Sequence, residues 1–583
     1  MSRRLLAAAL VCVLWVTLTP PAKAGVQGTS FRWVEATIAD IHVAFASGEL
    51  TCEELVNGYL ARVTAFDRSG PTLQSVLTVN PKAVEQARQL DARYATDGPI
   101  GALHCVPILL KDNIDTADMP TTAGSRSLRT SRPPDDAFAV ARLRQQGALI
   151  LGKANMDEFA FGFGGSSSLG GQVRNPYDPA RGPGGSSSGT GASIAASLAM
   201  VGVGSDTGGS IRVPSSVQGL VGIRPSLRLV SGDGVIPLAR FQDVIGPMCR
   251  TVQDCAAMLD AMVGFDGSAF SGQHTKPLQR DDEAVLMTSD NQYQSVTGVD
   301  PGHSYTAALA ADGLRGARIG VVRALFGGDP DVTRTMNAAI LAMRGAGATV
   351  EDVIIPDLST ITGYASVSAW EFRDHLSSYL QSWPSTADGH RRSFEEIMAS
   401  GEYEQARAST FALYAVQGAT RGVDPAYEKN THERSAYVPP RLRAALDNTT
   451  LEGAPRGEPY DALLYPSVLS PPQVGGAPST GSNNRLSPFS GFPALSMPAG
   501  FTAATDSTVA LPIGMELLGR EFDEATLLRL AYGYEHAVAG TPLARQAPTF
   551  TPELGTPGPT APRLMPTATR DAGLVAPSEL HRQ

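Results

Sequence analysis

Histidine and cysteine are scarce: nine and five among 583 residues, with no HExxH pair and no CxxC spacing. A metal hydrolase or a structural zinc site has no ligand set to stand on. No apolar stretch reaches the ~20 residues that a bilayer span requires; the run from Leu5 to Leu18 is too short, and none like it follows. Positive charge is also in deficit, 47 Lys and Arg against 57 Asp and Glu for a net −10, which argues against a nucleic-acid partner. Internal repeats are absent. What is present is 42% hydrophobic and 18% charged side chain, enough for a large core in one domain or two fused lobes.

The N-terminus carries Arg3 and Arg4, the apolar run to Leu18, and Ala22-Lys23-Ala24 as a small-x-small site. This reads as a secretory signal over 1–24, cleaved after Ala24, giving a secreted or periplasmic protein with no stable membrane span. Ser2-Arg3-Arg4 leaves the export route open between the general and the twin-arginine system. Removing Arg3, Arg4 and Lys23 with no acid takes the net charge from −10 to −13. Cys12 leaves with the signal. Cys52, Cys105, Cys249 and Cys255 remain and allow three pairings in an oxidising compartment. Nothing local selects among these, and a core this large can hold four buried thiols without staples, which favours the unpaired reading.

Thr51-Cys52-Glu53-Glu54 is a capping box before Leu55, Val56, Tyr59, Leu60 and Val63 at helical spacing, so 25–95 reads as an N-terminal helical layer. Val106 to Leu110 is a continuous apolar run, as a strand buried on both faces would be, and it ends on Lys111. A helix over Asp135 to Gln146 and a strand over Ala148 to Leu151 make a parallel crossover unit. The pattern recurs from Ala317 to Ile355. Further strands read at Leu463 to Pro466, Ala494 to Met497 and Leu511 to Leu518, and a helix at Asp523 to Ala539. The fold class is α/β, with a mixed, largely parallel central sheet sandwiched by helices. Its core spans 96–265 and its C-terminal part 316–550. Between them 266–315 reads as a polar surface insertion, and 551–583 as a proline-rich, disordered or draped tail.

The chemistry gathers in Gly182-Pro183-Gly184-Gly185-Ser186-Ser187-Ser188-Gly189-Thr190-Gly191 and Gly204-Ser205-Asp206-Thr207-Gly208-Gly209-Ser210-Ile211-Arg212-Val213-Pro214. A flexible linker would not be framed by a helix-forming run and the apolar Met200 to Val203 strand. A phosphate-binding loop fails because Thr190 stands where its lysine belongs. Gly185-Ser186-Ser187-Ser188-Gly189 satisfies the nucleophile-elbow pattern, yet proline-broken loop precedes it where that motif needs a strand.

From Gly184 to Ser215 the sequence resembles the amidase signature family, and the resemblance extends from about Val34 to Ala539. Leu229 to Pro237 and Gly313 to Val321 are most similar to bacterial peptide amidases. The resemblance implies Ser210 as nucleophile, Ser186 as a bridging serine held through a cis peptide at Gly185–Ser186, and Lys111 as base. It also implies an oxyanion hole at the backbone N–H groups of Thr207, Gly208, Gly209 and Ser210, with Asp206, Arg212 and Ser187 bracing the loops, and no metal or organic cofactor. A serine hydroxyl needs a base within hydrogen-bond reach. Lysine serves only when neutral, and bringing it there costs roughly 4 kcal/mol, which burial behind Val106 to Leu110 favours. Lys153, after a strand and before a helix, reads as a solvated or capping rival. Cys105 stands where the family usually has glycine and could crowd the lysine strand or serve as a second thiol nucleophile.

The expected reaction is hydrolysis of a carboxamide C–N bond, a linear amide of a small molecule or peptide, through an acyl-enzyme. Two other readings remain: an amidotransferase A-type subunit sharing this signature and acting on charged tRNA, and a non-catalytic binding protein on the same scaffold. Acyl and amine specificity and oligomeric state are not legible; the pocket is expected to draw on residues near Trp370 to Trp383.

Overall fold

A computed structural model describes residues 31–266, 289–382, 390–475, 479–503 and 509–555. The signal segment 1–24, Trp383, part of the polar insertion and the tail from 556 lie outside the described residues.

Thirteen strands are described. In chain order they are β1 Val76–Val79, β2 Pro107–Lys111, β3 Leu149–Ala154, β4 Ser166–Ser167, β5 Gly171–Gln172, β6 Val201–Asp206 and β7 Val221–Arg224. Then come β8 Val244–Cys249, β9 Arg318–Val321, β10 Thr349–Asp352, β11 Ala462–Pro466, β12 Ala494–Phe501 and β13 Pro512–Leu518. Eleven of them form one mixed sheet in the order β1-β3-β2-β6-β8-β7-β12-β13-β11-β9-β10. β2 runs parallel to β3 and β6, β9 runs parallel to β10 and β11, and the pairs between these two groups are antiparallel. The expected mixed α/β sheet between helices is therefore present, and its strands fall where the apolar runs placed them. Every residue of β2, β3, β6, β8, β12 and β13 is buried, as continuous runs covered on both faces must be.

The N-terminal layer has helices Ile38–Ser47 and Cys52–Arg62, each opened by a capping box, Thr37 with Asp40 and Thr51 with Glu54. It is not purely helical, because β1 lies between Cys52–Arg62 and the helix Ala83–Asp97 and closes one sheet edge against β3. Arg62, 1% exposed, donates to the carbonyls of Ala196, Ser197, Thr551 and Pro552. The first residues after Phe550 are thus held against the body of the protein. The described part of the insertion is tied in as well: Tyr293 and Tyr305 are buried, and Tyr293 Oη donates to the Leu229 carbonyl.

The unpaired-thiol reading is corrected. Cys52 pairs with Cys105 across 5.8 Å between Cα atoms, and Cys249 with Cys255 across 5.5 Å. The first joins the opening of helix Cys52–Arg62 to the residues just before β2, and the second joins the end of β8 to the helix Val252–Met262. Local pattern could not supply the first pair, since its partners are 53 residues apart. Cys105 therefore has no thiol to offer as a nucleophile, and it staples the lysine strand to the N-terminal layer.

The topology also fixes where chemistry can occur. β2 and β6 are parallel neighbours, Ile108 beside Val201 and Leu110 beside Val203, so their C-terminal residues Lys111 and Asp206 emerge at the same sheet edge. The helix Ser188–Ala195 returns between them in sequence, so its N-terminal loop, bearing Ser186 and Ser187, starts at that edge too.

Candidate active site

Lys111, the last residue of β2, is fully buried. Its Nζ lies 2.7 Å from Ser186 Oγ, 2.8 Å from Ser205 Oγ and 3.3 Å from the Ser205 carbonyl oxygen. Asn113 Nδ2 donates to Ser205 Oγ at 3.1 Å. Burial pulls the lysine amine down to about 7, while Asp157, Asp206 and Asp243 hold it from falling further. The peptide Gly185–Ser186 is cis. Ser187 bonds to both loops: its Oγ donates to the Ser205 carbonyl at 3.2 Å, and its N–H donates to the Ser210 carbonyl at 3.2 Å.

Ser210 sits in the turn between β6 and the helix Arg212–Val217, 4% exposed. Its hydroxyl makes no hydrogen bond among the described residues, whereas Lys111 and Ser186 are joined. Of the four backbone N–H groups expected to form an oxyanion hole, one is committed elsewhere. The Gly209 N–H donates to Asp206 Oδ1 at 2.7 Å, because the turn folds back on its own carboxylate. Thr207, Gly208 and Ser210 keep backbone N–H groups with no acceptor among the described residues.

Asp206 anchors the turn. Its carboxylate also accepts from Ile211 N–H at 3.2 Å and is paired with Arg212 at 3.0 Å and Arg224 at 3.1 Å. Arg212 continues to Glu516 on β13 at 2.6 Å and to the Asn484 carbonyl at 3.0 Å. Two acids and two arginines balance, all essentially unexposed. Burial would raise the Asp206 pKa, but Arg212 and Arg224 hold it well below the usual carboxylate range. Removing one member of such a cluster leaves an uncompensated buried charge. Asp206→Asn is expected to cost about 3–5 kcal/mol of stability, read from the urea unfolding midpoint. The wild-type contribution is complete above the unfolded pKa and is lost progressively as pH falls below about 4.

Lys153 is not the solvated or capping residue its sequence suggests. β3 continues through it to Ala154, and its amine is buried 3.4 Å from Asp112 Oδ1 and 2.9 Å from Thr121 Oγ1. It braces the segment after Lys111 and touches neither serine. The sequence reading missed Ser205 and Asn113, which hydrogen-bond to Lys111 and to Ser205 respectively. It also missed Gln242 and Asp243, which hold Thr207 through its carbonyl at 2.9 Å and its hydroxyl at 2.5 Å. Ser205 was open to discovery, since it adjoins Asp206 within the motif.

A cavity of about 600 Å³ borders the two serine-bearing loops through Phe163 and Asn484, and neither serine lines it. Phe163, Leu325 and Leu486 give it an apolar wall, and Asn483, Asn484 and Arg485 a polar one. A methyl group on Gly185 would stand 2.9 Å from Phe163 Cα, and one on Gly209 2.7 Å from Asn484 Cβ. Glycine at these two positions lets the catalytic loops and the cavity walls approach this closely. Its lining comes from Phe163, Leu325, Thr362 and the 481–486 segment; Trp370 is not among these residues, and Trp383 lies outside the described residues.

The family model Amidase matches residues 54–528. The chain belongs to the amidase family. Among curated relatives of this chain is the A subunit of the glutamyl-tRNA(Gln) amidotransferase of Halorhodospira halophila, 33% identical over 518 residues, covering 86% of this chain and 97% of the relative. The protein of that name from Thermus thermophilus is 33% identical over 514 residues, covering 86% and 97%. Among solved structures, the native peptide amidase of Stenotrophomonas maltophilia is 33% identical with a TM-score of 0.73, covering 89% of this chain and 99% of that chain. The curated names favour the amidotransferase reading over the exported amidase. Among the described residues no group of acids, histidines or cysteines could hold a metal ion, and no helix is long and apolar enough to cross a membrane.

Proposed function

We propose that this protein cleaves carboxamide C–N bonds through an acyl-enzyme on Ser210, with Ser186 and Lys111 relaying the proton. The observation that carries the reading is the 2.7 Å approach of a buried lysine amine, brought to about 7, to the hydroxyl of Ser186. In the neutral amine two N–H groups are taken by the Ser205 hydroxyl and carbonyl oxygens, so its lone pair faces the Ser186 O–H. Ser186 then gives its proton to Lys111 as it takes the proton of Ser210, whose Oγ attacks the amide carbon. The free N–H groups of Thr207, Gly208 and Ser210 lie on the turn carrying that nucleophile, where they would meet the developing oxyanion. The return of the proton to nitrogen releases ammonia or an amine, and water attacks the acyl-enzyme by the same relay. Purified protein should release ammonia from primary carboxamides. Absence of release across peptide, aliphatic and amino-acid amides would refute the reading in its free-standing form.

What becomes of the ammonia separates two finer readings. The curated names support a component that passes it to a partner and a charged tRNA. The N-terminal segment and the two disulfides support an exported amidase that releases it, because such bonds persist in oxidising compartments. For the exported amidase, intact mass after alkylation should show no free thiol in a chain beginning near Gly25. Replacing Cys52 and Cys105 by serine should cost about 2–4 kcal/mol. Five alkylated cysteines after denaturation without reductant, in a chain that keeps residues 1–24, or ammonia release only in the presence of copurifying proteins, would decide for the amidotransferase.

A further inference from the structure

We propose that Arg485 makes this enzyme selective for amides whose acyl part ends in an anionic group. The inference rests on the reading that Ser210 hydrolyses a carboxamide. In a primary amide only the acyl part is large enough to occupy a 600 Å³ cavity, and that cavity meets the site at both loops, through Phe163 beside Gly185 and Asn484 beside Gly209. The charge of its lining is unlike that of the protein as a whole. The chain is net acidic, yet Arg485 is the single charged residue lining the cavity, and it has no carboxylate partner among the described residues. One arm of its guanidinium donates to the Thr362 carbonyl, which fixes the head at the cavity wall while its other N–H groups remain uncommitted. The neighbouring polar groups do not compete for an anion. Asn483 Nδ2 is committed to the carbonyls of Leu325 and Pro466, and Asn484 Nδ2 to that of Gly208. Arg485 is exposed and directly follows Asn484, which touches the turn carrying Ser210, so an acyl group held in the cavity has in its lining a lone guanidinium whose fork suits a carboxylate.

The test compares monoamides of straight-chain dicarboxylic acids of four to eight carbons with unbranched alkanamides of equal length. At one length the wild type should prefer the charged member by about tenfold or more in kcat/KM. Arg485→Ala should erase that preference, chiefly through KM, and change alkanamide turnover less than about twofold. Arg485→Glu should reverse the preference, and Arg485→Lys should keep part of it. The preference should weaken with salt. Equal preference in wild type and Arg485→Ala, or none in wild type, overturns the proposal. Calorimetric binding of adipic monoamide and hexanamide to Ser210→Ala protein, with and without Arg485→Ala, separates the two levels. Monoamide binding that depends on Arg485, alongside a wild type that hydrolyses nothing, refutes the reaction and leaves the selectivity standing; binding indifferent to Arg485 refutes the selectivity.

Discussion

Ser210→Ala will lower kcat by about four to six orders of magnitude while leaving fold and substrate binding in place. The size follows from what the group does: without Oγ no acyl-enzyme can form, and the remaining N–H groups and pocket retain only their binding contribution. The preservation of the fold follows from its surroundings. The Ser210 hydroxyl makes no hydrogen bond among the described residues, and its loss removes no buried partner, so thermal stability should stay within about 0.5 kcal/mol of wild type. A slowly hydrolysed ester or amide should add the mass of its acyl group to wild type, on the peptide containing Ser210, and add nothing to the variant. Activity within tenfold of wild type, or acylation elsewhere, would remove Ser210 from the mechanism.

Much of this arrangement is legible in the chain because the residues that build it are local. The apolar run to Leu110 ends on Lys111, the Gly-Ser segment carries both serines, and capping boxes mark the first helices. The failures share a physical cause, which is that pairing across the fold leaves no local trace. Arg212 finds Glu516 at 304 residues' separation, and Cys52 finds Cys105 through packing of the N-terminal layer on β2. Lys153 is misread because Gly152 interrupts the apolar pattern, although Gly152 lies within β3 where a side chain would collide with the β1 backbone at Thr78. The cavity is the least legible part of all. It is assembled from four stretches of chain spread over more than three hundred residues, none with a periodicity that announces a ligand.

Lys111→Met will reduce kcat/KM by about 10³-fold at pH 8, and the pH profile will show that proton acceptance, not packing, has been lost. The wild-type amine titrates near 7 because burial disfavours its charged form. As a base it works only when neutral, so wild-type kcat/KM should be level above about pH 8 and fall about tenfold per unit below 7. The variant should keep its residual rate without that inflection. The same group leaves a mark on stability with a defined sign. Between about 7 and the ordinary lysine value near 10.4 the unfolded chain binds a proton that the folded chain does not, so unfolding free energy rises with pH across that window. Lys111→Met should remove this slope, and an inactive variant that still unfolds cooperatively identifies the base and excludes collapse of the sheet edge. An inflection near 7 that survives in Lys111→Met would transfer the titration to another group. The two N–H bonds to Ser205 would then be structural, and the lone pair that faces Ser186 would have no part in the reaction.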